Sequence, residues 1–306
     1  MQLDLNTRTP ISLGDIPLRV PQLGWGMWRL SASGPASPRV LVETALEMGL
    51  VLLDTADVYG VDGGGGFGEA ERLLGAVFRE APSLRRKIVL ATKVGIVPGV
   101  PYNSDQSYVI EACEASLKRL GVDQIDLLQI HRPDLLTHPE QVARTLMKLR
   151  QDGKIRAAGV SNYSAAQFDA LRQYLPELAT IQNEFSALAI EPLSDGTLDA
   201  AMRCGTPVLA WSPLAQGRLA TPAGESSGDA RTDRVIAALD EVARRAGTPR
   251  TAVAYAWLMV HPARPIPLIG SQNPARLREA GLAFKVGMTR EEWYRILVAA
   301  RGAEMP

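Results

Sequence analysis

The sequence predicts an α/β protein in which eight parallel strands, with helices between them, close into a (β/α)8 TIM barrel. Eight short apolar runs alternate with longer amphipathic stretches along nearly all of the 306 residues. Runs that are apolar on both faces are typical of parallel strands covered by helices, and eight strand–helix units in succession favour a closed barrel. No Pro/Gly-rich linker separates the units, so we expect a single domain over 1–306.

The predicted strands lie, in chain order, at 22–25, 50–53, 88–91, 125–130, 157–160, 179–181, 207–210 and 265–269. Helical periodicity is clearest at 38–48, 68–78, 105–120 and 139–151. Prolines make the last strand the weakest of the eight, because proline lacks the N–H that a central strand donates. Outside the barrel we expect an N-terminal hairpin within 1–20, an extra loop at 214–228 on the C-terminal face and a C-terminal helix at 290–301.

The charge balance of the chain is even, with 33 Lys and Arg against 33 Asp and Glu and a formal net charge of zero. A body that binds nucleic acid or an anionic membrane usually carries a basic patch, and this composition argues against both partners. The first six residues lack the basic and apolar regions of a secretory signal, and the chain has only two cysteines. We therefore expect a cytoplasmic protein.

A polar or aromatic side chain follows seven of the predicted strands, directly or within two residues. These residues are, in chain order, Asp54, Lys93, His131, Ser161 with Asn162, Gln182, Trp211 and Ser271. The C-terminal ends of barrel strands converge on one face, where barrel enzymes carry out their chemistry. We therefore expect these side chains to form one site.

Four residues of this set and its loops suit acid catalysis at a carbonyl group. A Lys93 ammonium beside Asp54 would lower the pKa of the Tyr59 phenol from its usual value of about 10. Such a phenol can donate a proton to a carbonyl oxygen, and His131 can hydrogen-bond the same oxygen. The three histidines lack metal-ligand spacing, and no G-x-S-x-G motif occurs. We expect neither a metal nor a serine nucleophile.

The segments that carry these residues resemble the aldo-keto reductase family over essentially the whole chain. The resemblance rests on DTADVYG at 54–60, on Lys93, on IDLLQIHRP at 125–133 and on GVSN at 159–162, in that order. It implies NADPH-dependent reduction of a small-molecule aldehyde or ketone to the alcohol by reversible hydride transfer. By resemblance Tyr59 is the proton donor, Lys93 tunes it together with the first Asp of DTADVYG, and the His of IDLLQIHRP orients the carbonyl.

The resemblance also implies that NADP(H) lies extended across the C-terminal face without a Rossmann fold. Trp211 stands where the family usually has Tyr, and Ala280 stands where it commonly has Asn to contact adenine. The matching cofactor-binding positions are Ser161, Asn162 and Gln182 for the carboxamide, Trp211 for stacking on the nicotinamide, Ser212, Leu214, Gln216 and Gly217 in the loop over the pyrophosphate, and Ser271, Arg276 and Glu279 for the 2′-phosphate and adenine.

The substrate pocket is expected to be formed by Trp25, Trp28, Val58 and Arg132. For the two tryptophans the alternative is simple cover at the end of the barrel. Arg132 suits a carboxylate or phosphate on the substrate, and a salt bridge to Asp134 is the alternative.

Arg276 is the basis for expecting NADPH rather than NADH. Together with Ser271 it follows the last strand at the start of a short helix, where barrel phosphate sites commonly form. No acidic residue lies in 270–276 to accept a hydrogen bond from a ribose hydroxyl. The alternative is that Arg276 pairs with Glu279 or Glu225.

Two other functions remain open at this point. A Schiff-base aldolase on the same barrel would use Lys93 as a nucleophile, and a nicotinamide-binding redox sensor or partner subunit would keep the fold without turnover. Gly63, Gly65 and Gly68 spell G-x-G-x-x-G, but residues 54–62 separate them from the strand that a Rossmann motif follows directly. We interpret these glycines as a loop at the rim of the site that could gate substrate.

Overall fold

The fold is a closed barrel of eight parallel strands, seen in a computed structural model that describes residues 2–3, 9–14, 17–61, 64–222 and 225–305. The described strands are β1 (Gln2–Leu3), β2 (Ile11–Ser12), β3 (Arg19–Val20), β4 (Gly24–Gly26), β5 (Leu52–Asp54), β6 (Val89–Val94), β7 (Ile125–Ile130), β8 (Ile155–Ser161), β9 (Ile181–Glu184), β10 (Val208–Trp211), β11 (Ile266–Ile269) and β12 (Met288–Thr289). Around the barrel the order is β10-β11-β4-β5-β6-β7-β8-β9, and the strands are parallel. The predicted barrel is confirmed.

All eight predicted barrel strands exist, but most of their bounds differ by one to three residues from the prediction. The largest shifts place Lys93 inside β6 and Gln182 inside β9, because neighbouring strands continue the pairing beyond the apolar runs. Lys93 pairs in register with Gln129 of β7. Pro267 lies within the short strand β11, opposite Ala210, despite its missing N–H.

Helices cover the outside of the barrel. They are α1 (Pro38–Glu47), α2 (Glu69–Glu80), α3 (Pro82–Arg85), α4 (Gln106–Leu120), α5 (Pro139–Gln151), α6 (Ala165–Arg172), α7 (Thr197–Cys204), α8 (Ala230–Ala246), α9 (Arg250–Met259), α10 (Pro274–Ala280) and α11 (Arg290–Arg301). Capping boxes at Ser164 and Thr289 begin α6 and α11. Among the described residues, no helix combines the length and the apolar character needed to cross a membrane.

The predicted N-terminal hairpin is present as β2 and β3, which pair antiparallel with Ile11 opposite Val20. Residues 1, 4–8 and 15–16 of the predicted segment lie outside the described residues. Side chains of the hairpin, among them Leu13 and Val20, pack with barrel residues such as Leu52 and Leu127 in one buried cluster. The hairpin therefore closes one end of the barrel interior and leaves the C-terminal ends of the strands for the site.

The C-terminal helix α11 has the predicted bounds and is attached to α9 by two tryptophans. Trp257 and Trp293 stack with ring centroids 5.2 Å apart. Each indole N–H donates to the backbone carbonyl of the other residue, at 3.1 and 3.0 Å. The pair satisfies both indole donors in a largely buried position.

A buried carboxyl cluster lies between the strand ends and helices α2 and α4. Glu71 of α2 accepts hydrogen bonds from the Thr92 hydroxyl and from Nε of Arg119, each at 2.6 Å. Asp57 is fully buried, and neither of its carboxyl oxygens has a hydrogen-bond partner within the described ranges. Burial, together with the negative charge of Glu71, raises the pKa of Asp57 well above its usual range. Asp57 therefore holds its proton to higher pH in the folded protein than in the unfolded chain.

Replacing this acid by its neutral isostere, Asp57→Asn, is expected to stabilise the protein at pH 8. Between the unfolded pKa of about 3.9 and the higher folded pKa, the folded wild type holds a proton on Asp57 that the unfolded chain releases. The stability of the wild type therefore falls as pH rises above the unfolded pKa, and the Asn variant escapes this loss. We expect a gain of about 1–3 kcal/mol in the free energy of unfolding at pH 8, shrinking toward pH 4, measured by urea titration.

Asp126→Asn is the matched control for this measurement. Asp126 is also buried, but its carboxylate pairs with Arg85 at 2.9 Å and with Arg156 at 3.0 Å. Losing a paired charge should lower the stability at pH 8 rather than raise it. A loss of stability in both variants would mean that Asp57 is ionised in the folded protein.

Candidate active site

A cavity of about 970 Å³ opens at the C-terminal ends of the barrel strands. This volume lies within the usual range for small-molecule sites. The residues predicted for the site that line it are Asp54, Val58, Tyr59, His131, Arg132, Ser161, Asn162, Gln182, Trp211, Ser212, Leu214, Gln216, Gly217, Ser271, Arg276, Glu279 and Trp28. Two predicted residues, Lys93 and Trp25, are not part of the lining.

Lys93 lies beneath the cavity floor with its side chain fully buried. Its Nζ donates to Asp54 Oδ2 at 2.6 Å, to the backbone carbonyl of Thr55 at 2.9 Å and to the Tyr59 hydroxyl at 3.0 Å. Burial by itself would lower the pKa of Lys93, but Asp54 and Tyr59 outweigh it and the pKa lies above its usual value. All three ammonium protons are used, and Lys93 is held as a cation.

The environment of Tyr59 reverses one prediction. Burial raises the pKa of Tyr59 above its usual value, and the Lys93 ammonium, which acts in the opposite direction, does not offset it. The negative charge of Asp54 adds to the increase. The expected lowering of the phenol pKa is therefore wrong, because the loss of solvent around the phenol raises its pKa more than the ammonium lowers it. At neutral pH Tyr59 is protonated, which is the form that can donate a proton.

His131 stands beside Tyr59 with the two rings edge to face and their centroids 5.8 Å apart. Burial lowers the pKa of His131 well below its usual value, and the positive charges of Lys93 and Arg132 lower it further. The imidazole is neutral at physiological pH. It can therefore donate or accept one hydrogen bond at the cavity without bringing a charge.

The second oxygen of Asp54 is held by two glutamines, one of which the sequence analysis missed. Asp54 Oδ1 accepts from Gln129 Nε2 at 3.1 Å and from Gln182 Nε2 at 3.0 Å. Gln129 is fully buried within β7. Gln129 is the single amide in the otherwise apolar strand sequence LLQI. Because a buried polar group needs a hydrogen-bond partner, this amide could have been predicted to support a neighbouring polar residue.

Asn162, predicted to contact a nicotinamide carboxamide, already has protein partners for its own amide. Its Nδ2 donates to the carbonyl of His131 at 3.0 Å and to Ser161 Oγ at 2.9 Å. Its Oδ1 accepts from Trp211 Nε1 at 3.1 Å. The backbone of Asn162 is left-handed, with φ of 60°, a conformation that Asn tolerates. Both protons of Nδ2 are used within the protein, so a cofactor amide would donate to the remaining lone pair of Oδ1.

The opposite end of the cavity holds the residues predicted for the 2′-phosphate and adenine. Arg276 forms no ion pair with Glu279 or Glu225, or with any other acid within the residues described. Glu279 instead accepts a hydrogen bond from the Thr251 hydroxyl. Helix α10 has only seven residues, and the Asn273 side chain already accepts from Ala275 N. The expected contribution of backbone N–H groups at this helix start is therefore reduced.

The polar and aromatic side chains along the cavity fit a dinucleotide. Gln272 lines the same end of the cavity, and both atoms of its amide are buried with no partner among the described residues. A polar lining with this amide and the guanidinium of Arg276, which has no ion pair among the described residues, suits a phosphate and ribose. The indole of Trp211 and the polar groups of Gln182 and Ser161 suit a planar ring with a carboxamide at the catalytic end.

The loop after β10 lies over the cavity between these two ends. Ser212, Ala215 and Gln216 have left-handed backbone conformations, with φ of 50°, 50° and 60°. Within the segment Ala215–Ala220, two short 3-10 turns are joined across a kink at Gln216 and Gly217, whose backbone angles are not helical. Nη2 of Arg29, on the loop after β4, donates to the Gln216 carbonyl at 3.3 Å. Two loops thus meet above the cavity, while residues 223–224 of the predicted loop lie outside the described residues.

Trp25 does not belong to the substrate pocket. It is fully buried in β4, within the core packed under the helices, and its Nε1 donates to the Ser271 carbonyl at 3.1 Å. Side chains alternate along a strand, so the next residue, Gly26, faces the cavity. Trp28 does line the cavity and is 44% exposed.

Arg132 lines the cavity beside His131 and does not form the alternative salt bridge. Asp134 instead accepts hydrogen bonds from Ser104 N, Leu136 N and the Thr137 hydroxyl. The guanidinium of Arg132 is therefore available to a ligand.

Of the glycines in the G-x-G-x-x-G pattern, the described ones do not follow a strand directly, as a dinucleotide-binding turn requires. Gly63 lies outside the described residues, whereas Gly68 directly precedes α2 with φ of +82°. A Cβ at Gly68 would lie 2.4 Å from Cδ of Arg119, so glycine is needed there for close packing. This glycine has a structural role.

The chain is similar over nearly its whole length to known proteins of one enzyme family. A model of the aldo/keto reductase family matches residues 22–299. The 6-dehydroglucose reductase of Novosphingobium aromaticivorans is 50% identical over 297 residues, which cover 96% of each chain. A protein of the same name from Agrobacterium fabrum is 35% identical over 96% of this chain and 99% of its own. The solved structure of a glycerol dehydrogenase from Gluconobacter oxydans superposes with a TM-score of 0.84, at 28% identity and over 98% of both chains.

These matches span the barrel strands and the loops that carry the candidate site. The names of the relatives are those of oxidoreductases, which supports an enzyme of carbonyl reduction in general and argues against a purely binding role. Members of this family use a nicotinamide cofactor, NADH or NADPH, and the donor groups along the cavity fit one. The chain is a member of the aldo-keto reductase family of oxidoreductases.

Proposed function

We propose that this protein uses NADPH to reduce an aldehyde or ketone to the alcohol, with Tyr59 as the general acid. The observation that carries the proposal is the arrangement around Lys93, whose buried ammonium lies 2.6 Å from Asp54 Oδ2 and 3.0 Å from the Tyr59 hydroxyl. A protonated phenol stands at the cavity with a fixed cation behind it. This arrangement supports donation of a proton to a carbonyl oxygen and stabilisation of the phenolate that remains.

When bound, the reduced nicotinamide would supply the hydride. The residues of the chain orient the carbonyl, donate the proton and stabilise the charge that remains. Tyr59 donates its proton to the carbonyl oxygen. Lys93 stays protonated and stabilises the negative charge left on the phenol, while Asp54 keeps the ammonium in place. His131, which is neutral, directs one N–H to the same oxygen and orients the carbonyl. In the reverse reaction the phenolate of Tyr59 accepts the proton of the alcohol.

For the substrate we propose a polyhydroxylated aldehyde, with 6-dehydroglucose as the compound to test first. Two relatives that cover nearly the whole chain bear that name. The substrate end of the cavity combines the aromatic face of Trp28 with the guanidinium of Arg132, which has no ion pair within the described part of the chain. These groups suit the C–H face and the hydroxyls of a sugar. A higher kcat/KM for an apolar aldehyde of similar size would contradict this assignment.

The proton donor can be tested with Tyr59→Phe, which keeps the ring and removes the hydroxyl. General acid catalysis contributes typically about 10²–10⁴-fold, and kcat should fall by that factor. NADPH binding, followed by fluorescence titration, should hardly change. Tyr174→Phe, at a half-exposed tyrosine after α6, is the matched control and should keep wild-type kcat. If Tyr59→Phe retains more than about a third of the wild-type rate of the chemical step, another group is the acid.

Lys93 should act through its charge and not as a covalent nucleophile. Its three protons are donated within the protein and its pKa is raised, so a neutral amine for Schiff-base formation is not present near pH 7. Borohydride added together with a carbonyl substrate should leave the protein mass unchanged, as measured by intact mass spectrometry. An adduct located on Lys93 by peptide mapping would support the aldolase alternative.

The choice of cofactor can be tested at Arg276. A hydrogen bond to a charged group contributes about 1.5–3 kcal/mol, so Arg276→Ala should weaken NADPH binding by roughly 10- to 100-fold. NADH binding should stay nearly constant, because NADH lacks the 2′-phosphate. Arg278→Ala is the matched control, since Arg278 lies on the same helix and pairs with Glu47 at 3.2 Å. Equal losses for both cofactors, or a wild type that prefers NADH, would contradict the assignment.

A further inference from the structure

Gln129 occupies an unusual position for an amide, at the centre of the barrel beneath the candidate site. Its side chain is fully buried, and it is not part of the cavity lining. Its Nε2 donates to Asp54 Oδ1 at 3.1 Å. Its Oε1 accepts from the Thr180 hydroxyl and from Gln182 Nε2, both at 3.3 Å. Both ends of the amide are thus held, which fixes its orientation.

The packing of β8 and β9 is arranged around this amide. Thr180, just before β9, is fully buried and directs its hydroxyl toward Gln129. On β8, a Cβ at Gly159 would lie 2.2 Å from the Thr180 hydroxyl oxygen and 3.2 Å from Cγ of Gln129. Only glycine leaves room at this position for the hydroxyl and the amide together. The site beneath Asp54 is therefore built from three strands.

The two glutamines on Asp54 Oδ1 differ in what else they can contact. Gln182 donates to the carboxylate at 3.0 Å and also lines the cavity, where a ligand can draw its amide away. Gln129 reaches the same oxygen from behind and has no access to the cavity. Asp54 Oδ1 therefore keeps one hydrogen-bond donor even when the Gln182 amide turns toward a ligand.

We propose that Gln129 is a positioning residue that holds the Asp54 carboxylate against Lys93 when Gln182 engages a ligand. Asp54 Oδ2 faces Lys93 at 2.6 Å only while the carboxylate plane is fixed, and the bond from Gln129 to Oδ1 fixes it. Gln129 acts on Tyr59 through this chain of contacts and touches neither substrate nor cofactor. The inference rests on the proposed role of Tyr59 and Lys93 in proton transfer.

A double-mutant cycle tests the proposal, because a residue that acts through Asp54 loses its effect once Asp54 is changed. Gln129→Met keeps the approximate volume and removes the donor. In the wild-type background we expect kcat to fall about 10-fold, the loss of one hydrogen bond to a charged group. In the Asp54→Asn background the same substitution should lower kcat by less than about threefold. Equal losses in the two backgrounds would overturn the proposal.

Two further variants separate positioning from simple packing. Thr180→Val removes one of the two hydrogen bonds to Oε1 of Gln129 but leaves the bond from Gln182 and the bond to Asp54, so kcat should stay within about threefold of wild type. A loss of kcat as large as that of Gln129→Met would assign the effect to packing.

In Gln129→Glu the new carboxyl can donate to Asp54 only while it holds a proton, because two adjacent carboxylates repel each other. The ratio of its kcat to that of the wild type should therefore fall between about pH 5.5 and pH 8, and a constant ratio contradicts the proposal.

A readout that needs no turnover distinguishes a failure of this inference from a failure of the proposed function. The same double-mutant cycle, measured by urea unfolding of the protein without cofactor, reports the coupling between Gln129 and Asp54 directly. A wild type that turns over no carbonyl substrate would overturn the proposed function and leave this coupling measurable. A coupling near zero in a wild type that does reduce carbonyls would overturn the inference alone.

Discussion

The buried contact between Lys93 and Asp54 is the interaction on which the site depends. A fully buried ammonium is costly unless all of its protons are paired, and the carboxylate beside it has the same requirement. Lys93 meets it with Asp54, the Thr55 carbonyl and the Tyr59 hydroxyl. The Asp54 carboxylate is paired with this ammonium and with two glutamine amides. Breaking one member of such a set typically costs about 3–5 kcal/mol, so the charges are tied to the stability of the barrel.

The barrel makes this contact possible because its closure brings neighbouring strand ends into register. Asp54 is the last residue of β5 and lies opposite Ala91 of β6, two residues before Lys93. Lys93 in turn pairs with Gln129 of β7. Three consecutive strands therefore supply the acid, the cation and the supporting amide, while the N-terminal hairpin closes the opposite end.

Burial decides the protonation of the groups around this contact more than any single neighbour does. It raises the pKa values of Tyr59 and Asp57 and lowers that of His131. Tyr59 and His131 are uncharged near pH 7, so the charges of the Lys93–Asp54 pair lie directly beneath the reacting end of the cavity. A fixed pair in a low-dielectric setting acts more strongly on a neighbouring phenol than it would in water.

The sequence by itself determined the barrel, the order of its strands and the set of polar residues at their ends, because apolar periodicity and residue spacing are local properties. It also carried the family resemblance, since motifs such as DTADVYG at 54–60 are contiguous. Only the tertiary structure decided that Trp25 faces the helices, that Gln129 supports Asp54 and that the pKa of Tyr59 is raised. Side-chain direction, distant partners and loss of solvent depend on how the strands are placed around the barrel, which no short stretch of sequence specifies.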